Sequence, residues 1–181
     1  MILVDTLEKK SLHVTDAFDA LGIPWRPQRL AQGDYMLEGS DALTIDRKSG
    51  LQETYSCLVG KQHDRFKREC QRSKVAGQRL VILIETHESE TFYARGVGAV
   101  KVSEPPISCV RDVEQWVNPR RVAFSRTAHT GIDRDRRPPI TSRQLMFTML
   151  TFAEMYGCEW KFCQSADCGK RIAEILMESG K

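Results

Sequence analysis

Two carboxylates and one lysine stand at the ends of two short apolar runs in the first part of this chain. Asp34 opens the run at 34–38, Asp46 closes the run at 42–46, and Lys48 follows two residues later. The runs are joined tightly enough to pair as a hairpin, which would bring Asp34 close enough to Asp46 to share a cation. Carboxylate oxygens are hard ligands that suit Mg²⁺ or Mn²⁺. The spacing therefore indicates a site that could bind a divalent cation and hydrolyse a phosphodiester.

The alternation of side chains along a strand predicts the direction of Lys48. Alternate residues point to the same face, so Asp46 and Lys48 should project together while Arg47 faces away. On that face the lysine could orient or deprotonate an attacking water and offset charge in the transition state.

A simpler interpretation of these residues needs no metal. Asp34 could be a turn residue, and Asp46 and Lys48 could be an exposed ion pair at the end of a strand. Asp5 and Glu8 weaken this interpretation, because the first predicted strand would run into the same edge of the sheet. Four carboxylates near one point repel one another unless a cation lies between them. The acidic cluster thus favours metal binding.

The elements that position these residues follow from hydrophobic periodicity and from the places of Gly and Pro. Strands are predicted at 2–4, 34–38, 42–46, 80–84 and 160–163. Helices are predicted at 11–21, 51–74, 142–156 and 166–177, the second divided near Gly60. This alternation implies one α/β domain, residues 1–181, with a mixed central sheet between helices. Residues 86–140 contain five prolines and are predicted to be a loop-rich insertion with a short helix at 108–117.

Composition excludes several classes of protein. The 181 residues are 41% hydrophobic and 28% charged, as in an ordinary globular domain and unlike a disordered or fibrous chain. No apolar run approaches the roughly 20 residues that cross a bilayer, and the N-terminal residues lack the pattern of a signal peptide. We therefore expect a cytoplasmic protein without membrane contact, whose six cysteines are reduced.

Three of the cysteines are five residues apart and raise the alternative of a zinc site. Cys158, Cys163 and Cys168 would need a fourth ligand, and no histidine lies near them in the sequence. Burial as small hydrophobic side chains explains them better.

Basic residues form two groups, although the net charge is only +3. Residues 118–141 contain six arginines and two acidic residues. The arginines are Arg120, Arg121, Arg126, Arg134, Arg136 and Arg137. In the second group, Arg65, Arg68 and Arg72 recur at three- and four-residue spacing on a predicted helix. Each group could be a solvated surface, but two such groups together with an acidic cluster favour contact with DNA phosphates.

Four segments of the chain match an ordered set of motifs. They are residues 2–8, 33–35, 45–49 and 80–85. In this order they resemble the ERCC4-type nuclease domain of the XPF/MUS81 group, a branch of the PD-(D/E)XK restriction-endonuclease-like superfamily. The pattern of that domain is V-D-x-R-E, then G-D, then E-R-K-x-x-x-D. The similarity resumes near Thr141 and extends through the final predicted helix.

The resemblance implies a restriction-endonuclease-like fold. It also implies a structure-selective DNA endonuclease that uses Mg²⁺, with Mn²⁺ as a substitute, to hydrolyse a phosphodiester near a branch, flap or junction. By position, Asp34 and Asp46 would be metal ligands and Lys48 the catalytic lysine. Asp5 would be a further catalytic acid and metal ligand, and Glu8 would support it.

Three positions depart from the pattern of the family. Leu7 stands where the family often has arginine. Asp46 stands where glutamate is commoner, which shortens the ligand by one methylene. The last aspartate of the pattern falls on Gln52, beside Glu53, and we expect Glu53 or Gln52 to contact the water shell of the metal. DNA contacts are predicted for Arg47, Arg65, Arg68, Arg72, Arg120 and Arg121.

Two alternatives stay open for a chain with these motifs. One is a non-catalytic DNA-binding or scaffold subunit, and the other is a nuclease that acts on unbranched duplex. The resemblance also suggests a homodimer or heterodimer formed through the C-terminal helices. There Met146, Met149 and Met177 would form either an adaptable apolar surface or part of the core.

Overall fold

The computed structural model describes residues 1–9, 11–127 and 137–178. In these ranges the strands are β1 (Ile2–Val4), β2 (Trp25–Pro27), β3 (Tyr35–Leu37), β4 (Leu43–Lys48), β5 (Arg79–Thr86), β6 (Ser89–Ala94), β7 (Gly98–Ser103) and β8 (Glu159–Gln164). The α-helices are α1 (Leu12–Ala20), α2 (Leu51–Val59), α3 (His63–Val75), α4 (Pro119–Thr127), α5 (Ser142–Tyr156) and α6 (Cys168–Glu178). Short 3₁₀ helices cover Val110–Gln115 and Ser165–Asp167.

Six of these strands form one mixed sheet in the order β2-β1-β3-β4-β5-β8. β3 runs antiparallel to β1 and β4, whereas β4, β5 and β8 run parallel. Residues 80–84 of β5 are fully buried, and their side chains point alternately into two cores. Ile82 belongs to the core beneath α2, α3 and α5, and Val81 to the core beneath α1 and α6. The predicted architecture, a mixed sheet between helices, is confirmed.

The hairpin of β3 and β4 fixes the position of the first predicted carboxylates. The backbone N–H of Asp34 donates to the carbonyl of Ile45 at 2.7 Å. Gly33 precedes it with a φ of +68°, and a Cβ there would clash with the side chain of Thr44. The turn into β3 therefore requires glycine. β1 pairs with the other edge of β3, where the N–H of Asp5 donates to the carbonyl of Asp34 at 2.8 Å.

The two helices after β4 form the wall opposite this hairpin. The helical region predicted at 51–74 is divided into α2 and α3, and the break falls at Gly60 as predicted. α2 begins three residues after Lys48, which holds both helices beside the end of β4. The buried face of α3 carries Phe66 and Cys70.

The insertion at 86–140 has more regular structure than predicted. β6 and β7 form an antiparallel hairpin, and α4 packs against it over a small apolar core. Gly96 and Gly98 form the tight turn of this hairpin with positive φ values, and Pro119 begins α4, where proline is favoured. The short predicted helix is a 3₁₀ helix. Glycine and proline usually interrupt regular structure, but here the two glycines form the turn of a hairpin and the proline begins a helix.

Two smaller features complete the comparison with the predicted elements. β2 was not among them, because it has three residues, contains Pro27 and pairs with β1 at the edge of the sheet, where proline is tolerated. Met146 and Met149 are buried in the core, whereas half of Met177 is exposed. No helix in the described ranges is long and apolar enough to span a bilayer.

Candidate active site

A polar cleft of about 630 Å³ lies beside the end of β4, between the β3–β4 hairpin and helices α2 and α3. The cleft brings together every side chain that the sequence predicted to be catalytic. They are Asp5, Glu8, Asp34, Asp46, Lys48 and Glu53. Gln52 lines the same cleft. Residues far apart in the chain therefore converge on one polar surface.

Asp46 and Lys48 share one face of β4, in agreement with the strand alternation. The Nζ of Lys48 lies 2.7 Å from both carboxylate oxygens of Asp46 and donates a hydrogen bond to Oδ1. Both residues are buried, with 4% and 7% of their surface exposed. Asp46 Oδ2 accepts no hydrogen bond from the part of the chain that the structure describes. The Lys48 ammonium compensates the charge of this oxygen as an ion pair. Because no hydrogen bond within the described ranges is directed at Oδ2, its lone pairs are available to a cation, and the atom is a candidate ligand.

Lys48 keeps its charge in this environment. Burial lowers the pKa of its ammonium, but the charge and the hydrogen bond of Asp46 outweigh burial and hold that pKa above its ordinary value. The Nζ also lies 5.2 Å from the centre of the Phe66 ring, which favours the cation. A protonated lysine donates hydrogen bonds and cannot accept a proton. Of the two roles considered for Lys48, orienting water therefore fits better than deprotonating it.

Asp34 is held in the cleft by the backbone of β4. The N–H of Arg47 donates to Asp34 Oδ2 at 2.8 Å. Burial raises the pKa of the Asp34 carboxyl well above its ordinary value, and the charge of Asp46 raises it further. Lys48 and the Arg47 hydrogen bond offset only part of this rise. The two aspartates thus repel each other in a poorly solvated space, a repulsion that a bound cation would relieve.

Glu69 is a further carboxylate of the cleft that the sequence patterns did not predict. Its Oε1 accepts a hydrogen bond from the N–H of Gly33 at 3.0 Å, which ties α3 to the turn before β3. Burial raises the pKa of the Glu69 carboxyl, and the charge of Asp46 raises it further. Helical spacing could have indicated that Glu69 faces inward, since it lies three residues after buried Phe66 and four before buried Ser73.

Asp5 and Glu53 line the cleft but already have partners. Both oxygens of Asp5 accept hydrogen bonds from Arg29 Nη1, at 2.9 and 2.7 Å. Glu53 Oε2 accepts from the N–H and the hydroxyl of Ser49, at 2.9 and 2.8 Å, at the start of α2. Asp5 can therefore bind a metal only if Arg29 moves. The group of mutually repelling carboxylates is smaller than the sequence indicated.

Arg47 does not occupy the position expected of a DNA-contacting residue. Its side chain lies on the face of β4 opposite Asp46 and Lys48, and it is only 4% exposed. Its Nη2 donates to Glu8 at 2.9 Å and its Nη1 to Glu85 at 2.7 Å. The guanidinium could reach a phosphate only by breaking both ion pairs. We therefore correct the predicted role of Arg47 from DNA contact to structural support, and Glu8 serves that same network.

The arginines of α3 divide into two groups by position. Arg65 and Arg72 are exposed and line the cleft. Arg68 is also exposed but does not line it. The three- and four-residue spacing thus places two of the three predicted contacts at the cleft.

The arginines of the insertion also differ in whether they line the cleft. Arg120 reaches the cleft from α4, where its Nη2 donates to Ser56 Oγ at 3.2 Å. Arg121 lies outside the cleft, and its Nη1 donates to the carbonyl of Pro139 at 2.7 Å. Arg134 and Arg136 fall outside the described residues.

The comparisons with known proteins give one kind of match. No protein-family model and no curated protein sequence matches the chain. The solved structure of XPF from Aeropyrum pernix matches with a TM-score of 0.59 and 18% identity, over 99% of this chain and 65% of that chain. XPF from Aeropyrum pernix in complex with DNA matches with a TM-score of 0.59 and 17% identity, over 99% of this chain and 64% of that chain. This chain has an XPF-like nuclease fold.

The match confirms the resemblance predicted from the ordered motifs, at the level of the fold. The chain spans less than two thirds of the length of the solved XPF chains. Whether this XPF-like fold can perform hydrolysis therefore depends on the side chains that line its own cleft.

The donor set of this XPF-like cleft fits a hard divalent cation. Asp34, Asp46 and Glu69 offer carboxylate oxygens in one polar cleft, and no hydrogen bond from the described residues is directed at Asp46 Oδ2. Oxygen-only sites of this kind suit Mg²⁺, which keeps several waters and needs few protein ligands. Asp34 and Asp46 are the most direct candidates of the three ligands predicted from the sequence, because Asp5 is paired with Arg29.

The cysteines do not form the zinc site considered as an alternative. Cys158 interacts with Cys70 on one side of the sheet, whereas Cys163 and Cys168 interact with each other on the other side. The three cysteines therefore cannot share one ion. Cys158 and Cys168 are buried in the apolar cores, whereas Cys163 is only partly buried, so the prediction of burial is wrong for Cys163.

Proposed function

We propose that this protein is a Mg²⁺-dependent DNA endonuclease, in which Mn²⁺ can substitute, and that it hydrolyses phosphodiester bonds near a branch, flap or junction. The observation that carries the proposal is the arrangement around Asp46. This buried carboxylate is held by the Lys48 ammonium, which lies 2.7 Å from both of its oxygens, and it lies beside Asp34, whose charge it repels. The XPF-like fold supports the same conclusion, because XPF from Aeropyrum pernix has been solved in complex with DNA.

Asp34 and Asp46 would hold the metal, and Glu69 would contact its water shell. When bound, Mg²⁺ would polarise the phosphate and favour the ionised form of an attacking water. Asp34 is preorganised for this by the Arg47 N–H, and Asp46 by Lys48. Ligands that are already fixed lose little entropy on binding.

Lys48 would act as a hydrogen-bond donor throughout the reaction. Its raised pKa keeps the ammonium protonated at neutral pH, despite burial that works in the opposite direction. From its place beside Asp46 it can orient the water and stabilise the negative charge that develops on the phosphate. The removal of one such donor typically slows an enzyme by about 10²–10³-fold.

The DNA backbone would lie along the arginines at the rim of the cleft. Arg65 and Arg72 project from α3, and Arg120 from the insertion on the opposite side. Arginine forms charge-assisted hydrogen bonds to phosphate without reading the base sequence. This arrangement is consistent with recognition of DNA shape.

A cleavage assay with a matched variant tests the proposal. Asp46→Asn keeps the size of the side chain and removes its charge, and Asp41→Asn makes the same change at an exposed residue of the hairpin turn. Labelled flap, fork, four-way junction and linear duplex DNA are incubated with Mg²⁺ or EDTA. We expect wild-type protein and Asp41→Asn to cut branched DNA only with Mg²⁺, and Asp46→Asn to lose at least about 10³-fold in rate.

Each other result of this assay rejects part of the proposal. Cleavage by Asp46→Asn at the wild-type rate would remove the metal-site assignment. Binding of DNA without cleavage by any variant would identify a non-catalytic DNA-binding subunit. Equal cleavage of linear and branched DNA would identify a nuclease that acts on unbranched duplex.

A further inference from the structure

A second cavity of about 340 Å³ lies next to the catalytic cleft, between α2, the β6–β7 hairpin and α4. We call it the aromatic pocket. Its wall combines aromatic rings with arginines. They are Tyr55, Phe92, Tyr93, Phe124, Arg95 and Arg120. Arg137 also lines the pocket, and no acidic residue is among the described residues that do so.

Arg120 forms the partition between the pocket and the cleft, since it lines both. Its guanidinium carbon lies 5.1 Å from the centre of the Tyr55 ring and 4.8 Å from that of Phe92. These cation–π contacts and the hydrogen bond to Ser56 Oγ fix the orientation of the side chain. The Nε of Arg120 is buried and has no hydrogen-bond partner in the described part of the chain. A positioned guanidinium thus retains donor capacity where the two spaces meet.

Tyr93 is the most exposed aromatic side chain of the pocket, with 79% of its surface exposed. It is held on β6 in register with Ala99 of β7, so its backbone is anchored in a hairpin. A large ring presented to solvent on a rigid strand is suited to stacking with a planar group. Planar bases stack on aromatic side chains without regard to sequence, and cationic residues follow the phosphates between them.

We propose that the aromatic pocket binds an unpaired base of the DNA substrate, and that Arg120 contacts the phosphate that leads from this base into the cleft. The proposal rests on the proposed function, because it names the part of the DNA that a nuclease cleft would have beside it. The charge of the pocket favours a polyanion, and its rings favour bases that are not already stacked in a duplex. The pocket would therefore hold a nucleotide that is unpaired and adjoins the phosphate in the cleft.

Binding measured without metal tests the pocket apart from catalysis. The full chain in EDTA is titrated into fluorescein-labelled oligothymidine, an abasic oligomer of equal length, and a duplex, at one fixed salt concentration. Stacking of one base contributes about 1–3 kcal/mol, so wild-type protein should bind oligothymidine at least about fivefold more tightly than the abasic oligomer. Tyr93→Ala should remove this preference and leave duplex binding within twofold, whereas Tyr93→Phe should keep it.

Phe147→Ala is the matched control, because Phe147 is 52% exposed on α5, away from the pocket. It should bind all three ligands as wild type does. The proposal is overturned if wild-type protein binds the abasic and thymidine oligomers equally, or if Tyr93→Ala weakens duplex binding as much as single-strand binding. A protein that shows the base preference but never cuts DNA would contradict the proposed nuclease and leave the pocket in place. If Asp46→Asn stops cutting but Tyr93→Ala has no effect on binding, the proposed nuclease is supported and the proposed base-binding pocket is contradicted.

Discussion

Two clusters of charged side chains lie on either side of β4, and they differ in how completely their hydrogen bonds are made. In the cleft, the Lys48 ammonium lies 2.7 Å from both oxygens of Asp46 but donates a hydrogen bond to Oδ1 alone, in the described ranges. In the other cluster, Glu85 accepts from Arg47 and from His13 through Oε1, at 2.7 Å each, and from Ser165 through Oε2 at 2.8 Å. Both clusters are buried, but only the second is saturated.

The pKa values follow the same division. Burial raises the pKa of the Glu85 carboxyl, but its hydrogen bonds and the charge of Arg47 outweigh burial, and the pKa is lowered from its ordinary value. Burial also raises the pKa of Asp34, and there Asp46 adds to the rise. The Glu85 cluster thus stabilises its charges by itself, whereas Asp34 and Asp46 repel each other in the cleft. Burial of charge alone does not distinguish a structural network from a reactive site.

The same difference explains why we do not assign a metal to the Glu85 cluster. Ligand atoms of His13, Glu85 and Cys168 all lie within 4.8 Å of one another. The oxygens of Glu85, however, already accept hydrogen bonds from Arg47, His13 and Ser165, so a cation would have to displace these donors. Proximity of potential ligand atoms is therefore not enough to indicate a metal site when hydrogen-bond donors already occupy those atoms.

After the loss of Asp46, the largest effect on activity is expected from Lys48→Met, which removes the hydrogen-bond donor of the cleft. We expect cleavage of flap DNA to fall by about 10²–10³-fold, because the developing negative charge loses its ammonium. DNA binding in EDTA should stay near the wild-type value. Lys61→Met, at an exposed position before α3, is the control and should cut normally. Wild-type cleavage by Lys48→Met would show that the cleft uses no lysine.

Arg47→Met should instead act on stability, because it leaves Glu8 and Glu85 buried without their cation. Breaking a buried ion pair from one side costs about 3–5 kcal/mol, which urea denaturation would record as a lower midpoint. Arg26→Met is the control, since Arg26 and Glu38 are both more than 40% exposed and such pairs contribute about 1 kcal/mol or less. Equal urea midpoints for Arg47→Met and Arg26→Met would contradict the structural role given to the Arg47–Glu85 cluster.

Much of this arrangement could be predicted from the sequence because it depends on local geometry. Period-two alternation is enough to place Asp46 and Lys48 on one face of β4 and Arg47 on the other. Hydrophobic runs and turn residues are enough to predict the hairpin and the break at Gly60. The ordered motifs add the fold.

The hydrogen-bond and ion-pair partners of Arg47 and Glu69 could not be predicted from the sequence, because tertiary packing determines them. Arg47 was expected to contact DNA, since nothing local shows that Glu8 and Glu85 enclose it from residues 39 and 38 positions away. Glu69 was not predicted to belong to the site, because its neighbours along the helix are mostly charged and exposed. Only the packing of α3 against the turn at Gly33 shows that it faces the cleft.

Glu69→Gln tests whether this unpredicted residue belongs to the unsaturated cluster. The amide oxygen of Gln can still accept from the Gly33 N–H, so the fold should be retained, while the charge beside Asp46 is lost. Mutations of residues that support metal ligands typically cost about 10–100-fold in affinity. We expect a loss near the lower end, measured as a weaker rise of Tm with Mg²⁺. Glu154→Gln on the exposed side of α5 should titrate as wild type, and identical titrations for both variants would exclude Glu69 from the site.

The smallest effect is expected from charges that lie at the rim of the cleft rather than inside it. Arg65→Gln removes one phosphate contact and should reduce the slope of log K against log salt by about 1, with a modest loss of affinity. Arg68→Gln removes the same charge from the same helix, but Arg68 does not line the cleft, so its slope should match that of wild type. Both slopes are measured by fluorescence anisotropy on one duplex between low and moderate salt in EDTA. Because the two variants have the same net charge, a difference between them can come only from position, and equal slopes would mean that α3 attracts DNA through its overall charge.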